Sequence, residues 1–289
     1  MPRQELRGLK FLKMKKYILD LTVKESRRVH ERYVLLRLTD EQKPLPEMLP
    51  GQFAEVRVDG SATTFLRRPI SICNVDTKQN ELWLLVAVVG DGTRWMATLK
   101  PGDKLNCVLP LGNGFTLPHP AQGDLQSVQG DLQSVQGDLQ SPLLIGGGVG
   151  VAPLLYLGAQ LKQNGIEPTF LLGARRNTDL LLLDEFSKYG RVLVTTEDGS
   201  AGEKGFVTQH SVLAEEHFDS IMTCGPTPMM KAVARYAHEK NIYCEASLEN
   251  LMACGLGACL CCVEKTKKGN LCVCKDGPVF NTEELLWLD

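Results

Sequence analysis

The hydrophobic pattern changes character along the chain. Up to about residue 115 it consists of short β-branched or alternating runs at 33–38, 52–58, 68–72 and 82–89. Turn residues separate them: Pro50-Gly51, Asp59-Gly60, Asp76, Asn80, Gly90-Asp91-Gly92 and Pro101-Gly102-Asp103. Closely spaced strands with such punctuation predict a small antiparallel barrel over residues 1–117. From residue 141 the pattern alternates. Strands are expected at 143–145, 169–172, 192–195 and 220–224, with helices from the glycine run to 165, over 179–189 and over 227–240. In the last of these Thr227 is expected to cap, Pro228 to take the first position, and Met230, Val233, Ala234 and Ala237 to form one apolar face. Such alternation predicts a parallel sheet covered by helices over 142–242. In the remainder, 243–289, Ser247 is expected to cap a short helix leading to Cys254. Two strands should flank a turn at 267–270, and the tail should be helical.

Between these parts lies a heptapeptide, 122–128, repeated at 129–135 and, cut short, at 136–141. The period of seven suggests a coiled coil, but each unit holds a glycine and the run is too short to wind. A polar, low-complexity linker over 118–141 is the expectation, since extra length between domains costs little. Deleting two of the repeats should leave cofactor content unchanged.

Composition narrows the picture without deciding it. A chain of 289 residues suggests about two domains, with room for a small third. A net charge of −2 gives no case for nucleic acid or an anionic membrane as partner. No apolar run approaches membrane-spanning length. The basic N-terminus lacks the apolar core of an export signal. The ten cysteines are therefore expected in a reducing cytoplasm, where thiols serve metals rather than disulfides.

The cysteines change the picture most. Six fall between positions 254 and 274, too many for inert core thiols. Cys254, Cys259 and Cys262 form a C-x4-C-x2-C triple, and Cys274 follows after a hairpin-sized gap. This is the spacing of plant-type [2Fe–2S] clusters, in which each iron takes two thiolates. Gly255 and Gly257 suit a loop that needs unusual backbone angles. Structural zinc usually takes two C-x2–4-C pairs and fits this triple poorly. Spacing alone leaves Cys261 and Cys272 open as substitutes within the set.

Two further motifs point to nucleotides. In the first third, Arg68-Pro69-Ile70-Ser71 offers a guanidinium for a diphosphate and a hydroxyl for a flavin edge. Gly92-Thr93 opens a short helix whose free N–H groups suit phosphate. In the middle, Gly146-Gly147-Gly148-Val149-Gly150 follows a strand and precedes Pro153. This is not G-x-G-x-x-G, but bare backbone before a helix lets a pyrophosphate approach in the same way. Cys224-Gly225-Pro226 ends the last predicted strand; by residue type alone Cys224 is a buried strand-end thiol. Arg175 and Arg176 could read a 2′-phosphate, and Glu197 and Asp198 a free ribose, so NAD and NADP both stay open.

Together these motifs resemble the ferredoxin–NADP reductase superfamily, which carries Arg-x-Tyr-Ser or Arg-x-Tyr-Thr in its flavin barrel and G-G-G-x-G-x-A-P in its nucleotide domain. Here Ile70 replaces the tyrosine that covers the flavin ring. Within that superfamily, A-C-G-x-G-A-C-x-x-C followed by C-x-D-G-P-V-F resembles the electron-transfer subunits of NAD-linked dihydroorotate dehydrogenases over nearly the whole chain. The resemblance implies a multi-domain α/β plus all-β fold: an FAD-binding antiparallel β-barrel, a doubly wound parallel-sheet nucleotide domain and a small C-terminal [2Fe–2S] module. It implies FAD contacts at Arg68, Pro69, Ile70, Ser71, Leu85, Val86, Ala87, Gly92 and Thr93. NAD contacts are implied at Gly146, Gly147, Gly148, Gly150, Cys224, Gly225 and Pro226, and Cys274 is selected as fourth cluster ligand. The implied partner is an FMN-containing catalytic subunit, in a heterotetramer of two plus two, serving pyrimidine biosynthesis. The alternative is another flavin/iron–sulfur NAD(P)H reductase subunit, linked to ferredoxin or to sulfide or sulfite. Because nicotinamides exchange electrons in pairs and clusters exchange them singly, a flavin must stand between them. No base constellation for oxidising an organic substrate is visible.

Overall fold

The computed structural model describes residues 15–117 and 140–288. The repeat linker lies outside them except for Gln140 and Ser141.

The first unit comprises β1 (Tyr17–His30), β2 (Tyr33–Thr39), β3 (Phe53–Val56), β4 (Arg68–Asp76), β5 (Glu81–Ala87), helix α1 (Asp91–Met96) and β6 (Lys104–Leu111). The strands close a barrel in the order β1-β2-β5-β4-β3-β6. Alternation along β2 and β5 explains the closure. Val34, Leu36, Leu38, Leu82, Leu84 and Val86 point into the barrel core. Leu35, Trp83 and Leu85, one position off, pack outward against the second unit. The long β1 escaped the sequence pattern because its second half is polar and bulged, with register shifts at Val23/Glu25 and Arg28/His30. The predicted strands at 33–38 and 68–72 are present.

The second unit runs β7 (Pro142–Gly147), α2 (Val151–Gln163), β8 (Thr169–Ala174), α3 (Leu183–Phe186), β9 (Arg191–Thr196), β10 (Glu203–Lys204), α4 (Val212–Glu215), β11 (Ser220–Cys224), α5 (Thr227–Glu239) and β12 (Tyr243–Ser247). After it come the hairpin β13 (Val263–Thr266) and β14 (Gly269–Cys272), the helical turn α6 (Val273–Asp276) and β15 (Val279–Asn281). A seven-stranded sheet forms in the order β10-β9-β8-β7-β11-β12-β15, parallel except for its last strand. It thus draws its final two strands from residues expected in the C-terminal module. Helix α2 is buried over nearly its whole length, as a helix must be when apolar all round. Its Tyr156 hydroxyl donates to the Met48 carbonyl of the barrel at 2.9 Å, tying the two units together.

Four local expectations need correction. The helix expected over 179–189 shrinks to α3, because Leu182 adopts a left-handed φ of 56° and interrupts it. Thr227 is the first residue of α5 rather than its cap; Pro226 holds the cap position and no side chain caps the helix. Ser247 ends β12, and no helix delivers Cys254. The tail forms β15 and a 3-10 turn, Thr282–Glu284, not an α-helix. Leu285 and Trp287 of that tail fill a core shared with Phe53 and Leu111 of the barrel and with Cys262, Cys272 and Cys274.

Candidate metal centre and nucleotide sites

The cysteine loop lies on irregular backbone between β12 and β13. Gly255 and Gly257 both have positive φ, 65° and 80°. A Cβ on Gly255 would meet Glu55 Cγ at 2.7 Å, and one on Gly257 would meet Lys275 Cδ at 2.8 Å. The loop therefore needs glycine there for both angle and space. Its turns aim N–H groups at sulfur. Leu256 and Ala258 donate to Cys254 Sγ at 3.3 and 3.4 Å, and Gly257 donates to Cys274 Sγ at 3.1 Å. The Cys274 N–H donates to Cys262 Sγ at 3.4 Å.

The thiols are near enough to influence one another's ionisation, Cys259 acting on Cys254 and Cys262 acting on Cys274. Partial burial works against ionising Cys254, but the N–H groups of Leu256, Cys259 and Ala258 outweigh it and bring its pKa down to about 6. Burial, with the neighbouring Cys262 thiol, pushes Cys274 up to about 12. Among the described residues no three His, Cys, Asp or Glu side chains converge as they would on a single ion. Three thiols on the loop and a fourth on the α6 turn are the donor set a two-iron cluster needs, two sulfurs for each iron. Cys261 is exposed and Cys272 is buried on β14. The Cys272 N–H donates to Asp276 Oδ2 at 2.7 Å, which shapes the turn carrying Cys274.

The barrel fixes this module from below. Asn113 donates from its backbone N–H to the Gly277 carbonyl at 2.6 Å, and from Nδ2 to the Asp276 carbonyl at 2.9 Å. A Cβ on Gly112 would lie 2.5 Å from Pro278 Cδ, so the two segments touch through bare backbone.

The barrel also carries an open seam. Strands β4 and β5 pair from Ile72↔Leu84 to Asp76↔Glu81 and no further. Beyond that point residues 68–71 of β4 pair only with β3, and residues 85–87 of β5 only with β2. Their facing edges carry backbone donors and acceptors without ladder partners, which a planar ligand with a polar rim can satisfy. These are the residues that the family resemblance assigns to FAD. The second piece comes to the same place: a Cβ on Gly92 would lie 3.3 Å from Arg68 Cγ. The Thr93 hydroxyl is occupied locally, accepting from the Val89 and Gly90 N–H groups at 2.9 and 3.0 Å. Ile70 is 8% exposed and packs in the barrel core. Leu85 and Val86 are buried, which leaves their backbone to the seam.

The glycine run divides its labour. Gly147 and Gly148 line a cavity of about 530 Å³, with Pro226 and Met229 on another wall. Gly146 and Gly150 serve packing instead. A Cβ on Gly146 would meet Leu154 at 2.9 Å, and one on Gly150 would meet Gly225 Cα at 2.4 Å. The run and the 224–226 turn are thus pressed together, backbone against backbone. Cys224 is fully buried, and that burial holds its thiol well above the usual range. Arg175 lines the cavity, whereas Arg176 turns to Asp179 at 3.7 Å. Sequence reasoning missed Arg32, Tyr33 and Thr195 on the cavity wall. Arg32 and Tyr33 come from the barrel, and nothing in the linear pattern of β2 connects them to a glycine run far along the chain.

Comparison with known proteins agrees with this geometry. Residues 249–286 match the iron–sulfur cluster binding domain of dihydroorotate dehydrogenase B, and residues 144–235 match the oxidoreductase NAD-binding domain. The dihydroorotate dehydrogenase B (NAD(+)) electron transfer subunit of Fusobacterium nucleatum is 40% identical over 237 residues, covering 80% of this chain and 84% of the relative. That of Bacillus velezensis is 36% identical over 269 residues, covering 92% and 97%. The solved NADH-dependent reduced ferredoxin-NADP oxidoreductase superposes with a TM-score of 0.77 at 29% identity, covering 92% of this chain and 90% of that one. Phthalate dioxygenase reductase, at 17% identity and a TM-score of 0.61, shares the fold. The chain therefore belongs to the family of dihydroorotate dehydrogenase B (NAD(+)) electron transfer subunits.

Proposed function

We propose that this chain passes electrons from an FMN-containing dihydroorotate dehydrogenase catalytic subunit to NAD+ during de novo pyrimidine (UMP) biosynthesis, within a heterotetramer of two plus two. When bound, FAD exchanges a hydride with nicotinamide and single electrons with a [2Fe–2S] cluster, so it links the two ends of the route. The chain's own residues supply position. Cys254 and Cys259 would hold one iron, and Cys262 and Cys274 the other. The seam edges at 68–71 and 85–87 would hold the flavin by backbone hydrogen bonds, with Arg68 against its diphosphate. Gly147, Gly148 and Pro226 would admit the dinucleotide to the cavity, while Gly146, Gly150, Cys224 and Gly225 keep its floor in shape.

The observation that carries this reading is the aim of N–H groups at sulfur: Leu256 and Ala258 at Cys254 Sγ, Gly257 at Cys274 Sγ and Cys274 at Cys262 Sγ, so the loop and the α6 turn gather these thiols against the barrel. A second feature supports the partner. Leu251, Leu256 and Leu260 of the cluster loop are 86%, 49% and 64% exposed. Apolar side chains gathered around a redox centre suit a protein interface. Among the described residues no helix is long and apolar enough to cross a membrane, and the thiol-rich composition favours the cytoplasm.

The test is reconstitution. The isolated chain, loaded with FAD and cluster, should reduce artificial acceptors with NADH and ignore dihydroorotate. Addition of the FMN subunit should confer dihydroorotate-dependent NAD+ reduction. Dihydroorotate turnover by this chain alone, or a purified chain lacking iron and acid-labile sulfide, would refute the proposal.

A further inference from the structure

The nucleotide cavity is not enclosed by the nucleotide domain alone. Arg32 and Tyr33, at the β1–β2 hairpin of the barrel, line it together with Gly148 and Arg175. A Cβ on Gly148 would lie 3.7 Å from the Tyr33 hydroxyl, so hairpin and glycine run meet there. The Arg32 guanidinium lies 5.9 Å from the centroid of the Tyr33 ring and is half exposed.

Asp179 holds this arginine. Its side chain is only 9% exposed, and Oδ1 lies 3.5 Å from Arg32 Nη2 and 3.3 Å from His30 Nε2. Arg176 Nε lies 3.7 Å from Oδ2. One carboxylate shared among two guanidinium groups and an imidazole fixes their places without neutralising them. Arg32 keeps donors to spare, since a guanidinium has five N–H groups. Arg175 lines the same cavity and forms no ion pair among the described residues. The cavity's other carboxylate, Glu197, would repel a phosphate brought close to it, which leaves the arginines as an anion's partners. The wall also carries Thr195, 1% exposed, whose hydroxyl has no protein partner.

We propose that Arg32, a barrel residue, grips the diphosphate of NAD(H) together with Arg175, and that Asp179 positions Arg32 for this. The proposal rests on the nucleotide-site reading above and adds to it a residue from the other domain. A ligand held from both sides would bind only when barrel and nucleotide domain are correctly apposed, the same apposition that brings nicotinamide to flavin.

The test measures binding rather than turnover. In the assembled complex, with FAD and cluster in place, calorimetry would compare ADP-ribose with adenosine, which lacks the diphosphate. R32Q and R175Q should each weaken ADP-ribose binding about tenfold or more, the worth of a hydrogen bond to a charged group, and leave adenosine unchanged. R32K should recover part of the loss, because the charge remains. D179N should weaken ADP-ribose in the wild-type background but add nothing to R32Q, with flavin content and flavin midpoint potential unaltered throughout. If R32Q binds ADP-ribose like the wild type, or loses ADP-ribose and adenosine alike, Arg32 is an interdomain tie and the proposal falls. Full additivity of D179N and R32Q would remove the positioning role. A wild-type complex that ignores ADP-ribose would overturn the nucleotide-site reading itself.

Discussion

The nucleotide cavity and the cluster loop are held in place by different means. The cavity floor is backbone at strand ends: Gly147 on β7 and Gly173 on β8, paired in register within a seven-stranded sheet. Its shape follows from ladders that run through the core. The cluster loop is a set of side chains on a stretch with neither helix nor strand from 248 to 262. Its shape rests on a few contacts: Gly255 against Glu55, Gly257 against Lys275, and N–H groups aimed at sulfur. A site made of backbone should tolerate most changes of side chain and fail when an atom is added. A site made of side chains should fail when a donor is removed, and its metal should contribute to its order, because binding energy at such a site is also folding energy.

The largest expected effect separates the two regions completely. Cys262→Ser or Cys274→Ser should abolish the cluster. Dihydroorotate-dependent NAD+ reduction by the complex should fall by at least about a hundredfold, more than loss of an outer-sphere contact would cause. FAD content and NADH-driven reduction of an artificial acceptor should stay near normal. Cys261→Ser is the control and should retain iron, since its exposed thiol is not among the four proposed ligands. Iron and sulfide analysis alongside both assays decides this. Loss of flavin in the serine variants would mean that the two sites are not independent.

Next comes the addition of one methyl group to the other region. In Gly150→Ala the new Cβ would lie 2.4 Å from Gly225 Cα and 2.6 Å from the Cys224 carbonyl carbon. Both neighbours are backbone at the end of β11, so neither can swing aside. Overpacking of this kind costs about 3 kcal/mol. Calorimetry should show NAD+ affinity lost with iron content intact. Gly165→Ala, at a position with nothing within 4 Å but a φ of 80°, should cost only about 1 kcal/mol and leave NAD+ binding unchanged.

These contrasts also explain what the sequence discloses. The cluster motif was legible because its chemistry lies in the side chains and the spacing of its first three cysteines in a single loop. The seam between β4 and β5 was not. It arises where two strands stop pairing, and Arg68 and Leu85 carry no mark of that. The packing of Ile70 was not legible for a related reason: its type is compatible with a ring face or a barrel core, and strand register puts it in the core cluster. The helix expected over 179–189 failed because a leucine, Leu182, took a left-handed conformation that residue type does not advertise. The strand-and-helix alternation from 142 to 242 was legible because β7, β8, β9 and β11 are apolar runs between turns. Their neighbour β15 was not, since it arrives from beyond the cluster loop to pair with β12.

The smallest effect concerns pH, and it belongs to the cluster side. Glu55 lies beneath the loop, 1% exposed, with no partner for either carboxylate oxygen. Burial raises its pKa from 4.5 to about 7, with Arg67 opposing and Cys254 adding to the rise. The sign follows from proton counting. Between these two values the unfolded chain has released the proton while the folded chain keeps it. Stability should therefore fall as pH rises from about 4.5 to about 7, and level off above. The span is about 2 kcal/mol after allowance for relaxation around the carboxyl. Glu55→Gln, which cannot ionise, should remove that slope. Urea midpoints of the FAD- and cluster-loaded chain at pH 5 and pH 8 would show it: the wild type should lose stability relative to the variant as pH rises. Parallel behaviour of the two proteins would mean that Glu55 ionises without penalty, and the floor beneath the cluster loop would then add no pH dependence of its own.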